Sequence, residues 1–255
     1  MLACLNAGAQ SWKLENETLL EFEVAYSSID RKGHIYLADS RGNIRQYNTD
    51  GELLNLYSTK LIGQIYLLES WHGLRTFAFY QDLQEYMLTD RFLANERNYQ
   101  LSPQNYIRLA TLSQDLNLWT LSEDNLIIRK ISTLDGTVMI ENQWNNDYSD
   151  EDLNISYIKE YKNRLYFLDA GTRVMVFDNL GNPITIIPAA GVKTISFAND
   201  QLFANTGKET IKVNLFSLER ETITLPVGSD QVYFVGERFF LIDSGKLLQY
   251  SYNPL

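Results

Sequence analysis

A single cysteine, Cys4, in 255 residues excludes both a disulfide framework and a cysteine-based metal cluster. Histidine is nearly absent as well. His34 and His72 are the only two, and neither has another histidine at ligand spacing. There is no Gly-x-Ser-x-Gly elbow and no phosphate loop, because Asn205-Thr206-Gly207-Lys208-Glu209 lacks the preceding glycine spacing. The acidic run from Asp147 to Asp152 has neither the turn glycine nor the terminal bidentate Glu of an EF-hand. No metal site and no cofactor are therefore expected. Basic residues are the minority sign, 22 Lys and Arg against 32 Asp and Glu, for a net charge of -10. That balance argues against a nucleic-acid partner, whose phosphates need lysine and arginine, and is otherwise ordinary for solubility. No apolar run reaches the roughly 18 residues that cross a bilayer. With 14 glycines and 5 prolines scattered and no low-complexity tract, nothing reads as a linker.

What is present is repetition. The stretch Ile35 to Leu54 recurs five more times in weakened form, with copies starting at Ile35, Thr76, Leu118, Leu165, Leu202 and Phe239. The steps of 37 to 47 residues suit a four-stranded propeller blade. Second strands such as Leu165-Tyr166-Phe167-Leu168 are apolar throughout, as expected of strands sandwiched between sheets. Third strands such as Asn43-Ile44-Arg45-Gln46-Tyr47 alternate instead; glycine turns at Gly51, Gly136 and Gly181 lead to outer strands at Leu53 to Tyr57, Thr137 to Ile140 and Ile184 to Ile187, and a further outer strand is expected at Glu221 to Leu225. The sixth copy stops without a fourth strand, and Leu14 to Phe22 has no blade of its own. The expectation is an all-β, six-bladed β-propeller closed by that N-terminal outer strand pairing with Leu247 to Tyr252.

Residues 1-9, Met-Leu-Ala-Cys-Leu-Asn-Ala-Gly-Ala, resemble the end of an export signal with an Ala-x-Ala cleavage site before Gln10, leaving residues 10-255 as one propeller domain. Two other readings are a lipoprotein box acylated at Cys4 and a start without a role. Export implies the bacterial periplasm or the inner face of the outer membrane.

Asp39, Ser40, Gly42, Asn43, Arg45, Tyr47, Asp50 and Gly51 together resemble an NHL repeat, echoed by Asp169, Gly171, Arg173, Phe177, Asp178 and Gly181 in the fourth blade and by Asp243-Ser244-Gly245-Lys246 in the sixth. The other three blades depart from it. The resemblance implies a six-bladed propeller of the NHL or TolB-like kind, a class holding both protein-binding modules and metal-dependent enzymes. In this setting Asp39, Asp169 and Asp243 are expected to accept turn N-H groups.

The connection between the third and fourth blades is the longest, and it should open on the same side as the turns between second and third strands. Trp144, Tyr148 and Asp150 are then expected beside Arg41, Arg173, Lys208 and Lys246, a mixture of aromatics and both charge signs suited to a protein interface. The residues thus point to a non-catalytic binding subunit whose partner is another protein, with an outer-membrane complex as a plausible host. The alternatives are a metal-dependent hydrolase or lyase with ligands converging in the channel, and a glycan or peptide binder using Tyr and Trp.

Overall fold

The computed structural model describes residues 11-60, 63-71, 73-101, 106-122, 126-144 and 153-253. They form six four-stranded antiparallel sheets, the six-bladed β-propeller class, with no helix among the described residues. The first blade is β2 (Tyr26–Ile29), β3 (Ile35–Ala38), β4 (Ile44–Tyr47) and β5 (Leu53–Tyr57); the second is β6 (Leu67–Glu69), β7 (Arg75–Tyr80), β8 (Glu85–Asp90) and β9 (Arg97–Gln100). The third holds β10 (Ile107–Leu112), β11 (Leu118–Ser122), β12 (Ile127–Ile131) and β13 (Val138–Gln143), and the fourth β14 (Ile155–Tyr161), β15 (Arg164–Asp169), β16 (Arg173–Phe177) and β17 (Pro183–Pro188). The fifth is β18 (Thr194–Ala198), β19 (Gln201–Asn205), β20 (Glu209–Asn214) and β21 (Arg220–Thr224). In the sixth, β22 (Gln231–Val235), β23 (Arg238–Asp243) and β24 (Lys246–Asn253) are joined by β1 (Ser11–Leu19) from the other end of the chain.

Each second strand begins at, or one residue before, the position expected from the repeats. The cause is visible in burial: every residue of β3 and β11 is buried, whereas the outer strands β13 and β21 are mostly exposed. Apolar runs go where both faces meet a neighbouring sheet, and alternating ones go outward.

The blades fall into two compact units. Residues 22–192 hold the first four blades, and the residues before Phe22 together with those from Lys193 onward hold the fifth and sixth. In the four-blade unit, each pair of successive sheets encloses its own core. Tyr36, Ile65, Tyr80 and Met87 fill the first, Phe77, Phe79, Leu112 and Leu118 the second, and Trp119, Ile128, Phe167 and Phe177 the third. In the two-blade unit the core is an aromatic stack, with Phe203 on Phe234 at 4.2 Å, Phe234 on Phe239 at 5.4 Å and Phe239 on Tyr250 at 5.2 Å.

The completing strand lies three residues earlier than its sequence suggests. β1 spans Ser11–Leu19 rather than Leu14 to Phe22, with Ser11 opposite Asn253, Leu19 opposite Lys246 and an irregularity between Leu14 and Asn16. Trp12 sets this register: its indole packs edge-on to Phe239 at 4.7 Å and donates to the Thr224 carbonyl at 2.9 Å. Leu14 and Leu19 consequently face solvent. A turn glycine ties the fifth blade to the sixth in a similar way. Gly207 has φ +96, and a Cβ there would meet Asp230 Oδ1 at 2.9 Å, so only glycine fits without a shift.

Candidate functional site

The turns between second and third strands carry four of the residues singled out in the sequence. In the first blade Asp39 Oδ1 accepts the N-H groups of Arg41 and Asn43 at 3.0 Å each, and Oδ2 takes the Arg45 guanidinium at 3.1 Å. Burial by itself raises the Asp39 carboxyl, but these bonds from Asn43, Arg45 and Arg41 outweigh it and hold the group below the usual carboxylate range. The Arg41 side chain is left exposed. Arg173 instead turns back to Asp169 at 3.0 Å, and Lys246 to Glu17 at 2.8 Å, a contact that raises the lysine. Lys208 is exposed on its turn. Arg41 and Arg173 belong to one unit and Lys208 and Lys246 to the other, at topologically equivalent turns. Tyr148 and Asp150 lie outside the described residues. The acceptor role expected of Asp39 is seen, whereas Asp169 accepts from Asn154 at 3.0 Å and Asp243 from the Ser244 hydroxyl at 2.9 Å.

Trp144 does not offer a surface anchor. It is 6% exposed, closing the core between the third and fourth blades with its ring edge-on to Phe167 at 5.0 Å and Phe177 at 4.8 Å. The indole lies in the apolar cluster that holds Phe167 and Phe177, and the backbone is tied down by its N-H to Leu126 O at 3.1 Å. Trp144→Ala should therefore lower stability by about 3 kcal/mol. Trp144→Phe should retain most of that, since Nε1 has no partner among the described residues. Urea midpoints of the two variants decide it, and an unchanged midpoint for Trp144→Ala would show the ring to be dispensable to packing.

Among the described residues, a buried polar cluster outside the residues expected to form the site lies on the first strands of the blades. Glu69, fully buried at the end of β6, accepts the Thr111 hydroxyl of β10 at 2.8 and 2.9 Å and pairs with Lys159 of β14 at 3.0 Å. One carboxylate thus joins three successive blades. Beside it, Glu160 takes the Trp119 indole N-H at 2.6 Å and the Gln114 N-H at 2.9 Å, and Ser28 accepts the Ser70 N-H at 3.0 Å between the first two blades. Two residues on from Glu69, Trp71 contacts Tyr161 at 4.8 Å and receives the Arg31 guanidinium at 5.0 Å. A signal for these contacts existed in the sequence. Thr111 is 42 residues from Glu69, Ser70 is 42 from Ser28 and Glu160 is 41 from Trp119, each about one repeat. Polar residues recurring at blade spacing inside apolar strands mark them.

His34 sits at the turn before β3, its Nδ1 3.0 Å from Asp30 Oδ2, in a chain of contacts running through Gln46 to Tyr36. Burial first, then the neighbouring Asp30, raises the Tyr36 phenol. His72 is outside the described residues. Among the described residues no group of three or more His, Cys, Asp or Glu is placed to hold a metal ion.

No family model and no curated relative matches this chain. Solved structures do. A catalytically inactive virginiamycin B lyase variant from Staphylococcus aureus, with quinupristin, is 14% identical at a TM-score of 0.63, covering 94% of this chain and 99% of that one. The β-propeller domain of Cps50 (Swd1) from Myceliophteria thermophila is 10% identical at a TM-score of 0.63, with 94% and 99% covered. BamB from Moraxella catarrhalis is 8% identical at a TM-score of 0.54, with 94% and 98% covered. Fold is shared at these identities, and the chain is a six-bladed β-propeller protein. The same fold carries an enzyme in one neighbour, so activity has to be argued from the site.

Proposed function

We propose that this chain is a non-catalytic, protein-binding propeller of the NHL-like kind, exported to the bacterial periplasm or the inner face of the outer membrane as a subunit of an envelope assembly. The supporting observation is the use made of the first strands. Ligating a metal needs carboxylates that are not already engaged, whereas Glu69 and Glu160 are buried and bonded to Thr111, Lys159, Trp119 and Gln114. The export part of the proposal rests on the resemblance of residues 1-9 to the end of an export signal alone. A metal-dependent hydrolase or lyase is the second reading, favoured by the likeness to virginiamycin B lyase and by the His34 and Asp30 pair.

Two measurements on protein from the native host separate them: metal content of the purified full chain, and cross-linking in intact membranes followed by purification. A metal-free chain cross-linked at fixed stoichiometry to one envelope protein is the expected outcome. One equivalent of bound divalent metal, with no cross-linked partner, would overturn the proposal in favour of the enzyme.

A further inference from the structure

We propose that a hollow at one end of the second blade binds an extended peptide segment in which a carboxylate adjoins an apolar side chain. This deepens the protein-binding reading above and rests on it. The hollow has a volume of about 180 Å³, with Leu74, Arg75, Leu88, Asp90, Asn95 and Arg97 on its walls. The antiparallel meander makes it, bringing the start of β7, the end of β8 and the start of β9 to one end of the sheet.

Its charge runs against that of the chain. On a protein of net charge -10, Arg75 and Arg97 are exposed, and neither forms an ion pair among the described residues. The one carboxylate on the walls is already engaged: Asp90 Oδ1 accepts the N-H groups of Phe92 and Ala94 at 2.9 and 3.0 Å, and Oδ2 the Asn95 amide at 2.6 Å. Burial opposes ionisation there, but the bonds from Ala94, Asn95 and Phe92 prevail and keep Asp90 below the usual carboxylate range. Two guanidinium forks without a carboxylate are matched by one from outside, which each can grip through paired N-H groups. Beside them Leu74 and Phe92 are 72% and 55% exposed, and Arg91 lies over the Phe92 ring at 4.6 Å. This supplies an apolar contact that a free inorganic anion does not use.

An extended segment also fits the backbone. β9 is the last strand in its sheet, so no described strand pairs with its outer edge, which can take strand addition beginning at Arg97. An anionic membrane offers similar chemistry but is an extended surface that meets the charge of the whole protein. A peptide in the hollow is screened from all but its neighbours beyond about 8 Å.

The probe is a fluorescein-labelled hexapeptide of alternating Asp and Leu, titrated against the full chain by fluorescence anisotropy. Parallel titrations use the same peptide with Asn for Asp, and vesicles of phosphatidylserine. Saturable binding of the Asp peptide, weakened by salt and reduced by about tenfold or more in the Arg75→Gln/Arg97→Gln variant, is expected, with the variant's melting temperature unchanged because both side chains are exposed. Absent binding, equal binding of the Asn peptide, an unchanged dissociation constant in the variant, or binding to vesicles alone would each overturn the proposal. An envelope partner whose cross-links map away from the second blade, with no peptide bound, sinks this site and leaves the protein-binding reading in place. A metal-loaded chain without partner sinks that reading itself.

Discussion

Deleting the chain through Leu20 should destabilise the protein by more than about 5 kcal/mol and abolish a single cooperative melt. β24 would lose the strand that pairs with it from Lys246 to Asn253, leaving an open edge in place of β1. Trp12, packed on Phe239, and the buried Leu20 would both be lost, and burial of two such side chains contributes up to roughly 1.5 to 3 kcal/mol each. The ladder bonds and the Leu20 N-H bond to Gly245 O at 2.7 Å add about 0.5 to 1.5 kcal/mol apiece. Calorimetry of the truncated and full chains tests this, together with rescue by a peptide of residues 11–20 supplied in trans. Coincident melting curves would show that β1 is an ornament of the sixth blade.

The second large effect concerns Glu69. Glu69→Ala is expected to cost about 3 to 5 kcal/mol, because it strands the Lys159 ammonium, whose side chain is 7% exposed, without its counter-charge. Replacing both partners by methionine should recover most of that loss, since the desolvation penalty of two buried ions disappears with their attraction. The comparison separates a buried ion pair from a packing position. If the single and double variants unfold at the same urea concentration, the charge pairing carries no weight and the packing of β6 on β10 and β14 explains the site.

Much of the architecture was legible in one dimension. Six apolar second strands spaced by a blade length, glycines at positive φ in several hairpin turns, and a sixth copy missing its outer strand all follow from local rules: apolar runs are buried, tight turns favour glycine, and edges seek partners. Even the Asp39 turn was readable, because its acceptor and donors lie within four residues. The three-residue displacement of β1 was not. Pattern alone admits either register, and only the position of Phe239, far along the chain, selects the one that packs Trp12 against it.

The polar contacts between blades and the fate of Trp144 belong to the tertiary structure. Glu69, Thr111 and Lys159 are ordinary polar residues in three separate strands until the blades stack, and then burial makes each depend on the others. Trp144 follows the last residue of an outer strand, where sequence allows the ring to point to solvent or fold under the sheet. What settles it is the apolar gap between the third and fourth blades, lined by Phe167 and Phe177, which exists only once both sheets are formed. The sequence by itself determined the repeating strands, because their pattern depends on near neighbours. Which side chains meet between blades was decided by the packed structure, because those energies arise from residues a full repeat apart.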